Sequence, residues 1–266
     1  MKLLRRLPRL KRKPVAFPEL TYANPDHPRL KRWMIRRIEK ASGRDRFATS
    51  YGIWRSQYAD RSDHPMRDML RLADIKMELD GIPWPPHQMP AEPIVMIAYL
   101  PFGIADGIAF LSLAEKLGRP MRILINDELL KVPEIRRYSL PVSFEETKEA
   151  MKKNMKTRNE ALSFLKEGGT VLIFPSGGVA TANRGWGEAE ELPWKTFTAR
   201  LVQSSGAYVV PIYFHGQNSR VFHLASRVSA TLRTSLFIRE FSKMSGRILR
   251  ATIGELISPE KITTFK

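Results

Sequence analysis

Three loops of the chain contain the side chains and turns from which a reactive site could be built. The first loop, YLPFGIADGIAF, contains Asp106 between Gly103 and Gly107. The third loop, FHGQNSR, contains His215. The second loop, FPSGGVATANRGWG, contains a tight turn followed by a basic side chain, namely Pro175, Ser176, Gly177, Gly178 and Arg184.

Each loop alone has an ordinary structural interpretation beside a chemical one. Asp106 precedes a helix, where a carboxylate caps the first turn by accepting backbone N–H bonds. The glycine-rich turn after Pro175 has amides that could hold an anion, although such turns are common. His215 could be a base, a hydrogen-bond donor or a structural histidine, and for a lone histidine the structural role is the commonest.

The elements that would position these loops alternate between strands and helices. Strands are predicted at 94–99, 121–125, 170–174, 207–214 and 247–254, and helices at 108–117, 145–166 and 195–204. This alternation predicts an α/β fold with a mixed, largely parallel sheet covered by helices on both faces. Since all three loops follow a strand, they are expected to meet at the carboxyl ends of the strands, around one crevice.

The region before the first of these strands divides into two predicted segments. Residues 1–45 comprise a basic arm and an amphipathic helix over 28–40, whose apolar stripe is surrounded by basic residues. Such a helix suits a membrane interface, and equally an ordinary helix packed on the core. Residues 46–90 are predicted to hold a helix over 65–78 and a proline-rich linker, and 91–258 the main α/β domain.

The net charge of the chain limits which partners are expected. The chain has 44 Lys+Arg against 27 Asp+Glu, a formal net charge of +17, which attracts nucleic acid, anionic lipid or phosphorylated substrates. No zinc-binding spacing, RNA-binding aromatic motif or clear helix-turn-helix is present, so nucleic acid is not expected as a partner.

Cysteine is absent, which excludes disulfides and thiolate sites. The apolar stretch 94–114 contains Pro101, Gly103 and Asp106 and predicts strand, turn and helix rather than a membrane span.

Taken together, the three loops resemble the glycerolipid acyltransferase superfamily, and within it the bacterial ornithine-lipid or hemolysin-like branch. The branch pattern Asn-His-Pro-(Phe/Thr)-Gly-x-x-Asp-Gly matches from Pro101 through Gly107, and the superfamily block Phe-Pro-Glu-Gly-Thr matches residues 174–178. The resemblance covers roughly residues 90–258 and implies a glycerol-3-phosphate acyltransferase-like fold. Where the family has Asn-His, this chain has Tyr99-Leu100, and Ser176 stands at the glutamate position.

The resemblance implies transfer of a fatty acyl group from acyl-CoA or acyl carrier protein to a hydroxyl of a lysophospholipid or lyso-ornithine lipid. In the family a histidine base removes the hydroxyl proton and an aspartate, here Asp106, orients the imidazole. The resemblance implies as substrate-binding residues Gly103, Gly107, Pro175, Ser176, Gly177, Gly178, Arg184 and His215, with no metal or cofactor. The expected setting is the cytoplasmic face of an inner membrane, with an anionic surface as partner. Because Leu100 replaces the histidine, the alternative is a catalytically impaired homologue that binds lipid or acyl carrier.

Overall fold

The computed structural model describes residues 17–263. The basic arm predicted at the amino terminus, residues 1–13, lies outside the described residues. Ten α-helices and seven strands are formed within the described range. The helices are α1 (Arg29–Ala41), α2 (Arg44–Gln57), α3 (Pro65–Leu72), α4 (Ile104–Glu115), α5 (Lys148–Lys166), α6 (Thr196–Ser205), α7 (Arg220–Val228), α8 (Ala230–Ser235), α9 (Phe237–Lys243) and α10 (Pro259–Thr263).

The strands form one seven-stranded sheet, in the order β1-β7-β6-β2-β5-β3-β4. All neighbouring pairs are parallel except β6 with β7. The predicted mixed, largely parallel α/β sheet is therefore confirmed. The strands are β1 (Lys76–Gly81), β2 (Ile94–Ala98), β3 (Met121–Asn126), β4 (Ser139–Val142), β5 (Thr170–Ile173), β6 (Tyr208–Phe214) and β7 (Ile248–Ile253).

Helices cover both faces of the sheet because its central strands are apolar on both sides. On one face Met96 and Phe214 pack with Phe110 of α4. On the other face Val95 packs with Leu165 of α5, in a cluster that also contains residues of α6. Such burial on both faces is typical of strands in a parallel sheet and accounts for their continuous apolar sequences.

The predicted helix over 65–78 is wrong in its second half. Helix α3 ends at Leu72, Asp74 has a positive φ of 57°, and residues 76–81 form the edge strand β1 instead. The sequence KMELD alternates apolar and polar residues, and Met77 and Leu79 point to the same partly buried face. Met77 lies at a helical spacing from the preceding methionines and also fits the alternation of a strand. The hydrophobic pattern alone therefore did not distinguish a helix from a strand here.

The remaining elements lie close to their predicted positions, with some additions. Helix α4 begins at Ile104 rather than 108, directly after the bend that contains Gly103. Helix α2, strand β4 and the three helices α7 to α9 were not predicted. Strand β1, which precedes the proline-rich linker, pairs with β7, so the sheet includes a strand from each side of that linker. Within residues 17–263 no helix combines the length and the apolar character needed to cross a bilayer.

Candidate functional site

The three loops meet at one edge of the sheet. Strand β2 lies between β5 and β6 and runs parallel to both, so the loops that follow these strands leave from the same side. The Ala180 amide of the second loop donates to the Leu100 carbonyl of the first, at 2.9 Å. The Asn218 side-chain amide of the third loop lies 3.4 Å from the Phe102 carbonyl of the first. The expected convergence is therefore present.

Asp106 lies at the centre of this convergence and caps helix α4. Its Oδ2 accepts hydrogen bonds from the backbone N–H groups of Phe102, at 2.6 Å, and Gly103, at 2.8 Å. Gly103 has a φ of 97°, a conformation that favours glycine, which brings both amides around the carboxylate. The capping interpretation of Asp106 is confirmed.

The second oxygen of Asp106 is left without a partner. The residue is fully buried, and Oδ1 has no hydrogen-bond partner among the described residues. Burial raises the pKa of Asp106 to about 7, against the lowering effect of the Gly103 and Phe102 amides. A buried carboxyl oxygen without a partner is uncommon in folded proteins.

Leu100 and Tyr99, which stand at the family's Asn-His positions, are held by structural contacts. Leu100 packs against an apolar cluster formed by Val179, Phe222 and Leu236, here called the Leu100 cluster. Tyr99 donates its hydroxyl hydrogen to the Ala189 carbonyl at 3.1 Å and stacks on Tyr213, with ring centroids 4.9 Å apart. Neither side chain provides a base, since burial raises the pKa of Tyr99 to about 12.

No histidine within residues 17–263 is hydrogen-bonded to Asp106. His215 is exposed, and its Nε2 lies 2.7 Å from the hydroxyl of Thr252 on β7. His223, on helix α7, was not singled out from the sequence. It is fully buried, and its Nδ1 accepts the Ala182 N–H at 3.2 Å, so its ring proton lies on Nε2. Desolvation lowers the pKa of His223, which fits a neutral structural histidine.

The turn at residues 175–178 is closed by its own hydrogen bonds. The Gly177 amide donates to the Phe174 carbonyl at 2.9 Å, and the Gly178 amide lies 3.5 Å from the Ser176 hydroxyl. Ser176 is buried, and its hydroxyl lies 3.1 Å from both the Gly178 carbonyl and a Glu191 carboxylate oxygen. A carboxylate thus reaches the position of Ser176 from a residue later in the chain. Anion binding by the amides of this turn stays a prediction.

Lys195 places a positive charge beside the turn and was not singled out in the sequence analysis. The Lys195 ammonium lies 4.4 Å from the centroid of the Phe144 ring, which would contact a side chain placed at Gly177. The Lys195 amide also donates to the Pro175 carbonyl at 3.1 Å. These contacts fix an exposed positive charge at the turn. Of the other predicted residues, Arg184 is exposed in the same loop, and Gly107 lies in α4, where an added Cβ would meet no atom within 4 Å.

Helix α1 presents most of its apolar stripe to solvent. Leu30 is 70% exposed and Trp33 53%, and Met34 is also exposed. Only the far end of the stripe, Ile38, packs against the Leu100 cluster. Helix α1 is anchored to the core mainly by the buried Ile35 and Glu39, while most of its apolar stripe stays exposed.

Comparison with known families agrees with this geometry. Residues 87–215 match the family model described as Acyltransferase, a range that contains the Asp106 loop and the 175–178 turn and ends at His215. The matched region is an acyltransferase-family domain. The predicted membership of the glycerolipid acyltransferase superfamily is confirmed, and the narrower bacterial branch stays a prediction.

A curated relative of the acyltransferase domain is named lyso-glycine lipid O-acyltransferase, from Phocaeicola vulgatus. It is 25% identical over 172 residues, which cover 61% of this chain and 55% of the relative. The chain thus spans little more than half of the length of the curated relative that it matches. Helices α1 and α7 lie outside the range of the acyltransferase family model.

Proposed function

We propose that this chain acts on lipids as an O-acyltransferase, moving a fatty acyl group from a thioester carrier to a hydroxyl of a lysolipid at a membrane surface. The observation that carries the proposal is the meeting of the Asp106 loop and the 175–178 turn at one sheet edge, within the matched acyltransferase domain. The acceptor classes to test are lysophospholipids, lyso-ornithine lipids and, from the name of the relative, lyso-glycine lipids.

The proposed reaction exchanges one ester-type bond for another. The acceptor hydroxyl oxygen attacks the thioester carbonyl carbon, a C–O bond forms, the C–S bond breaks, and the hydroxyl proton ends on the released thiol. A hydroxyl is a poor nucleophile, so a positioned base contributes about 10²–10⁴-fold to such a reaction. No described side chain is placed as that base, and the unpartnered Oδ1 of Asp106 is the atom that would orient one.

Lys195 supports a site for the acyl donor at the turn. Acyl-CoA and acyl carrier protein both present phosphate groups near the thioester arm, and an exposed ammonium attracts them. The Phe144 ring and Leu192, which lies against Gly178, add an apolar border. We therefore place the donor arm along the turn.

Helix α1 supports the membrane setting. Leu30, Trp33 and Met34 are exposed on a helix whose remaining surface is basic, and Arg37 lies over the Trp33 ring, 5.3 Å from its centroid. An exposed tryptophan with surrounding arginines suits the headgroup boundary of an anionic bilayer. The proposed location is the cytoplasmic face of the inner membrane.

Leu100 favours a second candidate, a catalytically impaired homologue that binds lysolipid or acyl carrier without turnover. Leucine cannot accept a proton, and the described histidines closest to the three loops, His215 and His223, are bonded to Thr252 and Ala182. This candidate predicts binding without product.

The two candidates are separated by assaying product and binding on the same purified protein. Radiolabelled acyl-CoA and acyl carrier protein are each incubated with the three lysolipid classes in anionic vesicles, and donor binding is measured in parallel. Product formation whose KM for the donor rises about tenfold in Lys195→Ala, but not in the exposed control Lys116→Ala, supports the transferase. Donor binding without product supports the impaired homologue, and absence of both contradicts the two proposals together.

A further inference from the structure

Helix α7 has an outer apolar face that stays exposed to solvent within residues 17–263. Val221, Leu224 and Val228 are 48%, 45% and 76% exposed and follow helical spacing along one side. The opposite side is buried through Phe222 and His223. The helix thus has apolar residues on both its inner and its outer side.

Basic residues lie on the same helix as this face. Arg220 and Arg227 lie on the same helix and are exposed. No Asp or Glu occurs between Glu191 and Glu240, a stretch that contains six basic residues. The exposed Trp186 lies in the adjoining loop, next to Gly185. A Cβ added at Gly185 would lie 2.5 Å from the Leu224 side chain, so this loop is close to α7. Aliphatic residues, a tryptophan and unneutralised arginines are the combination expected of a helix at an anionic lipid surface.

Helices α1 and α7 approach the same part of the molecule. Phe222 of α7 is a member of the Leu100 cluster, and Ile38 of α1 packs against it. Both helices also contact α8. Both helices therefore adjoin the cluster against which Leu100 packs.

We infer that α7 is a second membrane-contact helix, which together with α1 docks the protein on an anionic bilayer with the Leu100 side of the site toward the lipid. The inference rests on the proposed function at a membrane surface and extends it from one helix to a defined face. Two contact points fix an orientation where one would leave the protein free to rotate. A second copy of the chain is the less suitable occupant, because two such basic faces repel each other.

The test is sedimentation of the full chain with vesicles of phosphatidylglycerol and phosphatidylcholine, without acyl donor or lysolipid. Val221→Ser/Val228→Ser removes the outermost apolar groups and keeps Leu224, which lies against Gly185. The expected result is a loss of affinity for anionic vesicles on the order of tenfold. The matched control is Met151→Ser/Met155→Ser, two exposed residues of α5, which should leave affinity unchanged.

Three results would overturn the inference. They are unchanged affinity in the α7 variant, equal losses in the α7 and α5 variants, and concentration-dependent self-association of the wild type that the α7 variant abolishes. Circular dichroism and a thermal melt establish that each variant is folded. This assay measures vesicle binding and not turnover. Its result therefore tests the docking through α7 independently of whether the protein transfers acyl groups.

Discussion

Replacing Asp106 by asparagine should change how the stability of the protein depends on pH. Asparagine has nearly the shape of a protonated aspartate, and its amide oxygen can accept the Phe102 and Gly103 N–H bonds that Oδ2 now accepts. The substitution therefore keeps the helix cap while removing the ionisable group.

The magnitude follows from the pKa. Burial raises the pKa of Asp106 from its ordinary value of 3.8 to about 7. Between these two values the folded protein holds a proton that the unfolded chain has released, so the wild type loses stability as pH rises through this window. The full loss corresponds to about 4 kcal/mol, of which about 3 kcal/mol falls between about pH 5 and pH 8.

The assay is urea unfolding of wild type and Asp106→Asn from about pH 5 to pH 8, with the exposed Asp63→Asn as a control for the loss of one negative charge. We expect Asp106→Asn to gain about 3 kcal/mol in free energy of unfolding relative to the wild type across this range. Parallel curves, differing by a constant amount, would show that the carboxyl is not held in a desolvated environment and would refute the reasoning.

Three further variants test other parts of the protein. Leu30→Ser/Trp33→Ser should weaken binding to anionic vesicles by roughly 10- to 100-fold in sedimentation, because both side chains are exposed, with unchanged binding contradicting the role of α1. Lys195→Ala should raise the KM for acyl-CoA about tenfold through loss of one charge-assisted contact, whereas an unchanged KM would remove it from the donor site. Gly103→Ala should lower the free energy of unfolding in urea by about 1–3 kcal/mol, because φ is 97° and the added Cβ would lie 3.1 Å from the Phe237 ring. An unchanged free energy of unfolding would contradict the geometry of this bend.

The structure also changes how the N-terminal region is best perturbed. Deletion of residues 1–45 would remove Ile35 and Glu39, both buried, and the two bonds that Glu39 accepts from Thr21 and the Tyr22 amide. Loss of vesicle binding in that deletion would therefore be confounded by loss of packing. Substitution of exposed residues on α1 avoids this.

The parts of the fold that the sequence predicted were those set by local pattern. The central strands are continuous apolar runs, and Asp106 caps a helix through amides only three and four residues away, so both were visible without tertiary information. Helix α2 was missed because Gly52 lies in its interior, where an added Cβ would meet the Phe17 ring at 3.0 Å. That glycine is explained by a contact distant in sequence rather than by helix propensity.

The parts of the site that were missed depend on residues far apart in the chain. Lys195 is placed by Phe144, and Glu191 reaches Ser176, neither of which is a local relation. The apolar face of α7 is exposed because no other described element packs on it, and the sequence of residues 220–228 alone does not reveal this. The unpartnered oxygen of Asp106 likewise appears only when every neighbour is known.

The most direct test of the central claim is acyl transfer by Leu100→His, measured beside the wild type and the Leu100→His/Asp106→Asn double variant. Tyr99 is best left in place, because its hydroxyl is bonded to Ala189 and its ring stacks on Tyr213. If Asp106 is the orienting aspartate of a dyad whose base is missing, the histidine variant should form product at least about 10²-fold faster than the wild type, and the double variant should lose that gain. A folded histidine variant that gains nothing with any lysolipid or donor, or a double variant as active as the single one, would contradict the claim.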